Sequence, residues 1–150
     1  MTSPEADAML RSAFDPARFM AFARQVGHGA ALGIDYAAHG DDWAELVLPY
    51  SPRLIGVTNT GVLASGPIVS LMDMATSVAI WIKLGRFRPQ ATLDMRVDYL
   101  RPANPGCSVT GRGECYRTTR TIAFVRGTAH DGDASDPVAY VSATFIATGG

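Results

Sequence analysis

The sequence predicts an α+β domain: an antiparallel sheet of about six strands around one long central helix, preceded by a helical arm. Three observations predict it. Residues 61–82, GVLASGPIVSLMDMATSVAIWI, form an apolar run whose single charge is Asp73. On both sides of that run, apolar and polar residues alternate with period two. After it come four such segments, separated by short stretches of turn residues.

The arm comes first. Ser3-Pro4-Glu5 reads as a helix start, and so does Asp15-Pro16, followed by Phe19, Phe22, Ala23 and Val26 at helical spacing. Gly27 and Gly29 end it, so residues 1–29 form the arm and residues 30–150 the main domain. Residues 32–39 read as a strand, His39-Gly40-Asp41-Asp42 as a turn, and residues 43–50 as the returning strand. Residues 51–60 form a loop into the helix.

Ser65-Gly66-Pro67 opens the long helix, with Ser65 as a small capping residue and proline where its missing N–H does no harm. Gly85 stops it. Ile68, Leu71, Ala75, Val78, Ala79 and Ile82 share the face that belongs on the sheet. Gly66, Val69, Ser70, Asp73, Thr76, Ser77 and Ile80 share the face that looks toward a groove or a second chain. Residues 92–100 then alternate, Leu93, Met95, Val97 and Tyr99 against Asp94, Arg96 and Asp98. Residues 101–106 read as a turn, and strands follow at 107–116, 121–130 and 137–147. Short turns make the last four strands a meander. A curved sheet leaves the polar helix face uncovered in a monomer, which points to a homodimer.

With 150 residues and 47% hydrophobic content, the chain fits one domain with a real core. Thirteen basic and fourteen acidic residues give no electrostatic case for nucleic acid or an anionic membrane. The balance is uneven: residues 1–75 carry a net −4 and residues 76–150 a net +3, and Lys83 is the one lysine among the cations. Cys107 and Cys115 are too few for a disulfide framework or a cysteine zinc site. The first residues lack the layout of a secretory signal, so a cytoplasmic location is expected. The apolar run is long enough to span a bilayer. Asp73 near its middle, and Ser65, Ser70, Thr76 and Ser77 along it, favour a helix buried in protein instead.

His28, His39 and His130 are far apart and in no ligand spacing, so no metal site is expected. Neither a phosphate loop nor a GxSxG elbow is present. Asp73 is the sharpest residue. Unless Thr76 or Ser77 caps it, an acid in apolar surroundings suits a general base or nucleophile. The helix start is the second element, because free N–H groups at the positive dipole end make an oxyanion hole. Pro67 has no N–H, which leaves Ser65, Gly66 or Ile68 as donors. Asp73 lies eight residues past Ser65, or ~12 Å along the axis. That is too far for one carbonyl, but two antiparallel helices across a dimer bring acid and donors together.

Asn59-Thr60-Gly61-Val62-Leu63-Ala64-Ser65-Gly66, Leu71-Met72-Asp73-Met74-Ala75 and the segment TLDMRVDYLRPA from Thr92 to Ala103 together resemble the hotdog-fold acyl-CoA thioesterases, closest to the phenylacetate-degradation branch. The resemblance covers about residues 30–147 and implies a hotdog fold. It also implies hydrolysis of acyl-CoA thioesters without metal or redox cofactor, coenzyme A entering as part of the substrate. The family's acid maps onto Asp73, its Ser or Thr at the next strand onto Thr92, and its helix-start donors onto the Ser65 and Gly66 amides. Asn59 stands one residue from the family's asparagine. Arg101, Arg117 and Arg120 are candidates for the coenzyme A phosphates. A homodimer, or a pair of dimers, is the implied assembly.

The family's His-Gly-Gly reads Ala64-Ser65-Gly66 here. The missing histidine motivates an alternative, a hotdog domain that binds acyl-CoA without turnover. A hydratase or dehydratase is less favoured, because those use a histidine with a carboxylate and none lies between His39 and His130. A purely structural protein is disfavoured by an acid kept in an apolar helix.

Overall fold

A computed structural model describes Pro4 and residues 12–149. In chain order it contains helices α1 (Pro16–Ala23) and α2 (Gly27–Leu32), strands β1 (Asp35–His39) and β2 (Trp43–Leu48), and a single 3-10 turn at Pro52–Leu54. Helix α3 (Ser65–Leu84) follows, then strands β3 (Gln90–Tyr99), β4 (Val109–Thr118), β5 (Ile122–His130) and β6 (Ala139–Ala147). The six strands form one antiparallel sheet in the order β1-β2-β4-β5-β6-β3. Helix α3 lies on its inner face. This is the expected α+β architecture, and α3 ends as the sequence implies, on Gly85 in the left-handed region with φ 68°.

Helix and sheet meet closely because β4 and β5 carry glycines beneath α3. A Cβ on Gly113 would stand 2.7 Å from the Ala75 carbonyl and the Thr76 nitrogen, and one on Gly111 2.9 Å from Leu71 Cγ. Leu71, Met72, Ala75 and Val78 are fully buried in the resulting core. Among the described residues α3 is the one helix long and apolar enough to cross a membrane, and its apolar face is spent on this sheet. The arm closes the far half. Asp15 accepts from the Arg18 N–H at 3.1 Å and starts α1. Phe14, Phe19 and Phe87 then surround Trp81 with centroids 4.8 to 5.6 Å away.

Several expectations need correction. The last four strands are not a meander: β3 pairs with β6, while β4 pairs with β2 and β5. The segment after Leu100 is therefore a crossover to the other side of the sheet, not a hairpin turn. Residues 27–32 are helical, because Gly33 at φ 73° caps a short Ala-rich turn; the first strand starts at Asp35. The groove-facing stripe of α3 is half right. Gly66, Val69, Ser70 and Asp73 remain partly open, whereas Thr76, Ser77 and Ile80 are buried, Ile80 in a cluster with Cys115, Val125 and Phe145 of the sheet. Thr76 satisfies its hydroxyl on the Met72 carbonyl at 2.7 Å. Cys107 precedes β4 and does not share a strand with Cys115. Of the helix start at Ser3-Pro4-Glu5, Pro4 alone is described and helical, and Ser3 and Glu5 lie outside the described residues.

Arg101 pins the crossover. It donates to both carboxylate oxygens of Asp131, at 2.9 and 2.7 Å, and to the Asp136 carbonyl at 2.8 Å. The Asn104 N–H also donates to Asp131, at 2.7 Å. The Arg101 guanidinium, with this amide, holds the Asp131 carboxyl down at about 2. A carboxyl depressed by folding contributes stability that is complete above its unfolded value near 4 and is lost as pH falls toward 2. Denaturant midpoints measured from about pH 5 to about pH 2.5 should drop in the wild type and drop less steeply in Asp131→Asn. Parallel slopes would remove this pair from the acid response.

Candidate active site

The site is built on the start of α3. Ala64 is the N-cap, without a side-chain bond, and its N–H donates to the Leu54 carbonyl at 2.8 Å. Ser65 is thus the first helical residue and not the cap expected of it. Helical geometry then assigns the donors. Ile68 is the first residue with an acceptor four back, and Pro67 has no N–H, so the free amides are those of Ser65 and Gly66. Both residues are exposed. Tyr99 braces this tip by donating its hydroxyl to the Ser65 carbonyl at 2.9 Å. Partial burial pushes the Tyr99 phenol up, which keeps it a donor. Beside the tip lies a cavity of about 380 Å3 lined by Leu63, Ile68, Tyr99, Leu100, Ala103 and Val138 among others.

Asp73 sits two turns along the same face, half-buried, with Oδ1 accepting from Thr92 Oγ1 at 2.6 Å. Strict alternation would put Thr92 on the outer face with Asp94 and Arg96. A β-bulge inverts it: Thr92 pairs with the buried Phe145, Asp94 pairs with Thr144, and Leu93 is the extra residue, 58% exposed. The hydroxyl is thereby turned toward the helix. Thr76 does not cap the acid side chain; its hydroxyl goes to backbone carbonyls.

Two neighbours escaped the sequence reading. One is Tyr99. The other is His28, whose Nε2 is 2.8 Å from Ser70 Oγ, while that hydroxyl donates to the Gly66 carbonyl at 3.3 Å. A histidine from α2 thus borders the face between the amide tip and the acid. Forty-two residues separate His28 from Ser70, and no local pattern could have joined them.

The remaining candidates lie elsewhere. Asn59 is exposed in the loop before α3 with φ 68°. Asparagine tolerates that left-handed turn position better than most residues. Arg101 is committed to Asp131 and Asp136. Arg117 and Arg120 are exposed near the β4–β5 turn, and among the described residues neither is in an ion pair.

One long helix on a single antiparallel sheet, with an acid partway along it and bare amides at its start, defines the hotdog class. The thioesterase superfamily model matches residues 56–137, more than half of the chain, and the chain belongs to that family. A crystal structure from Pseudomonas aeruginosa is 36% identical, with TM-score 0.76, covering 87% of this chain and 95% of that one. The Escherichia coli PaaI protein, from the phenylacetic acid degradation operon, superposes with TM-score 0.73 at 18% identity over 90% of this chain and 95% of PaaI. In sequence, the chain is 29% identical to the E. coli medium/long-chain acyl-CoA thioesterase YigI over 61% of its length. That match spans 63% of YigI, less than two thirds of its length.

Proposed function

We propose that the chain is an acyl-CoA thioesterase, hydrolysing the thioester to a free acid and coenzyme A at a site shared by two copies. The observation that carries this is the Thr92–Asp73 hydrogen bond on a helix whose own start presents two bare amides. The thioester carbonyl oxygen is bound by the Ser65 and Gly66 N–H groups of one copy. Asp73 of the second copy takes a proton from water as its oxygen attacks the carbonyl carbon. The tetrahedral intermediate collapses, the C–S bond breaks, and the thiolate recovers the proton from Asp73. Thr92 ties one Asp73 oxygen and leaves the other for water. Asn59, on the loop leading to the tip, is available to orient water or carbonyl, and the cavity beside Tyr99 takes apolar substrate.

The dimer is supported by strand β3. It is an edge strand of ten residues with Leu93 and Tyr99 exposed on it and Leu100 exposed just beyond. Such an edge invites pairing. A second β3 alongside would carry the two Thr92–Asp73 pairs toward each other. Light scattering should give twice the chain mass, or four times it where dimers pair.

Thiol release from a panel of aromatic, short-chain and long-chain acyl-CoAs tests the reaction. Turnover of at least one class is expected. Binding without release from any of them would favour the non-catalytic reading, which the Ala64-Ser65 departure motivates. Thr92→Val should lower kcat/KM by about ten- to a hundredfold, the worth of a hydrogen bond to a charged group. An unchanged rate would make that contact incidental.

A further inference from the structure

Tyr99 does more at the tip of α3 than hold it. Its side chain and Ser65 line the same cavity of about 380 Å3, walled also by Leu63, Ile68, Leu100 and Val138. Its hydroxyl donates to the Ser65 carbonyl at 2.9 Å. That carbonyl and the Gly66 N–H are the two ends of one peptide unit, joined by a C–N bond with partial double-bond character. A proton held at the oxygen draws charge through that bond and makes the N–H at the other end a stronger donor. The hydroxyl of Tyr99 therefore acts, through one peptide, on one of the two bare amides assigned to the thioester oxygen.

The neighbouring carbonyl provides the contrast. Ser70 Oγ donates to the Gly66 carbonyl at 3.3 Å, but the nitrogen of that peptide belongs to Pro67 and carries no proton, so nothing is passed to a donor. Tyr99 is also 44% exposed. Water competes for a hydroxyl in that position and screens its dipole. An acyl group lying in the cavity packs against the tyrosine ring and displaces that water. The bond to Ser65 then stands in apolar surroundings, where a hydrogen bond is electrostatically stronger.

We infer that Tyr99 is a positioning residue through which the acyl group sets the rate: a chain that fills the cavity strengthens the Tyr99–Ser65 bond, and with it the Gly66 N–H that holds the carbonyl oxygen. This rests on the thioesterase reading and adds to it a substrate class, acyl groups apolar and long enough to cover the Tyr99 ring. The preference falls on kcat, because a stronger donor gains most once negative charge has developed on the oxygen. An acetyl group leaves the cavity to water and the donor at its weaker setting.

Thiol release from acetyl-CoA and hexanoyl-CoA tests this in Tyr99→Phe, which keeps the ring and removes only the hydroxyl. Deleting an oxyanion donor costs about a hundred- to a thousandfold in kcat, so weakening one should cost about three- to tenfold with hexanoyl-CoA and less than about twofold with acetyl-CoA, KM staying within about twofold for both. Infrared spectroscopy reads the donor without turnover. The probe is the hexanoyl ketone analogue of the substrate, with a methylene in place of the thioester sulfur. Its carbonyl stretch should fall on binding the wild type, fall less on binding Tyr99→Phe, and match the wild type in Ser70→Ala. A thermal melt and light scattering check fold and association. An equal fractional loss on both substrates, a loss confined to KM, or one stretch shared by wild type and Tyr99→Phe overturns the inference, and with thiol release intact in the wild type it leaves the hydrolase reading standing. A Tyr99-dependent stretch without thiol release from the wild type would keep the donor assignment and sink the hydrolase reading.

Discussion

Asp73→Asn is expected to lower kcat/KM for thioester hydrolysis by about a hundred- to ten-thousandfold, the usual worth of a positioned general base, with fold and association unchanged. The substitution isolates one property. Asparagine has the shape of aspartate, and its carbonyl oxygen can still accept from Thr92 Oγ1, which lies 2.6 Å from Asp73 Oδ1. The half-buried position therefore loses neither packing nor its hydrogen bond. What disappears is the capacity to take a proton from water. Thiol-release kinetics, read beside a thermal melt and light scattering, separate this from misfolding. A variant as fast as the wild type would take Asp73 out of the mechanism. Comparison with Thr92→Val orders the two groups: if the threonine only orients the carboxylate, its loss must cost less than loss of the carboxylate.

Local signals made the axis of this site legible. Asp73 stands out because it is the single charge in residues 61–82, and Gly85 marks the helix end through a backbone conformation that glycine adopts without strain. The choice of donors was narrowed by proline chemistry alone and completed once Ala64 proved to be the cap. Features set by distant pairing were not legible. Alternation from residue 92 to 100 gives no hint that an extra residue at Leu93 turns Thr92 inward, because a bulge is a property of two strands. The crossover between β3 and β4 looks like a turn until Arg101 is seen gripping Asp131, thirty residues away. His28 and Tyr99 are ordinary in sequence; proximity to Ser70 in one case and to the Ser65 carbonyl in the other give them interest.

Gly113→Ala should destabilise the chain by about 1–3 kcal/mol, the range for overfilling a packed core, although alanine normally stabilises a site it fits by lowering unfolded-state entropy. The sign follows from what the new methyl meets. At Gly113 it meets the helix backbone, the carbonyl carbon and oxygen of Ala75 and the nitrogen of Thr76, all at 2.7 Å, and backbone cannot change rotamer to make room. Relief requires α3 to lift from β4. Asp73 is on that helix just before Ala75, so the lift also draws the carboxylate away from Thr92, and activity should fall among molecules that remain folded. Gly29→Ala is the control. It lies within α2, where the added carbon has only the Ala23 carbonyl oxygen nearby, at 3.8 Å, and should be neutral or stabilising by up to about 1 kcal/mol. Urea midpoints for the two variants should therefore move apart. A Gly113→Ala chain as stable and as active as Gly29→Ala would mean that the sheet yields where the helix does not, and that close contact with β4 does not set the position of Asp73.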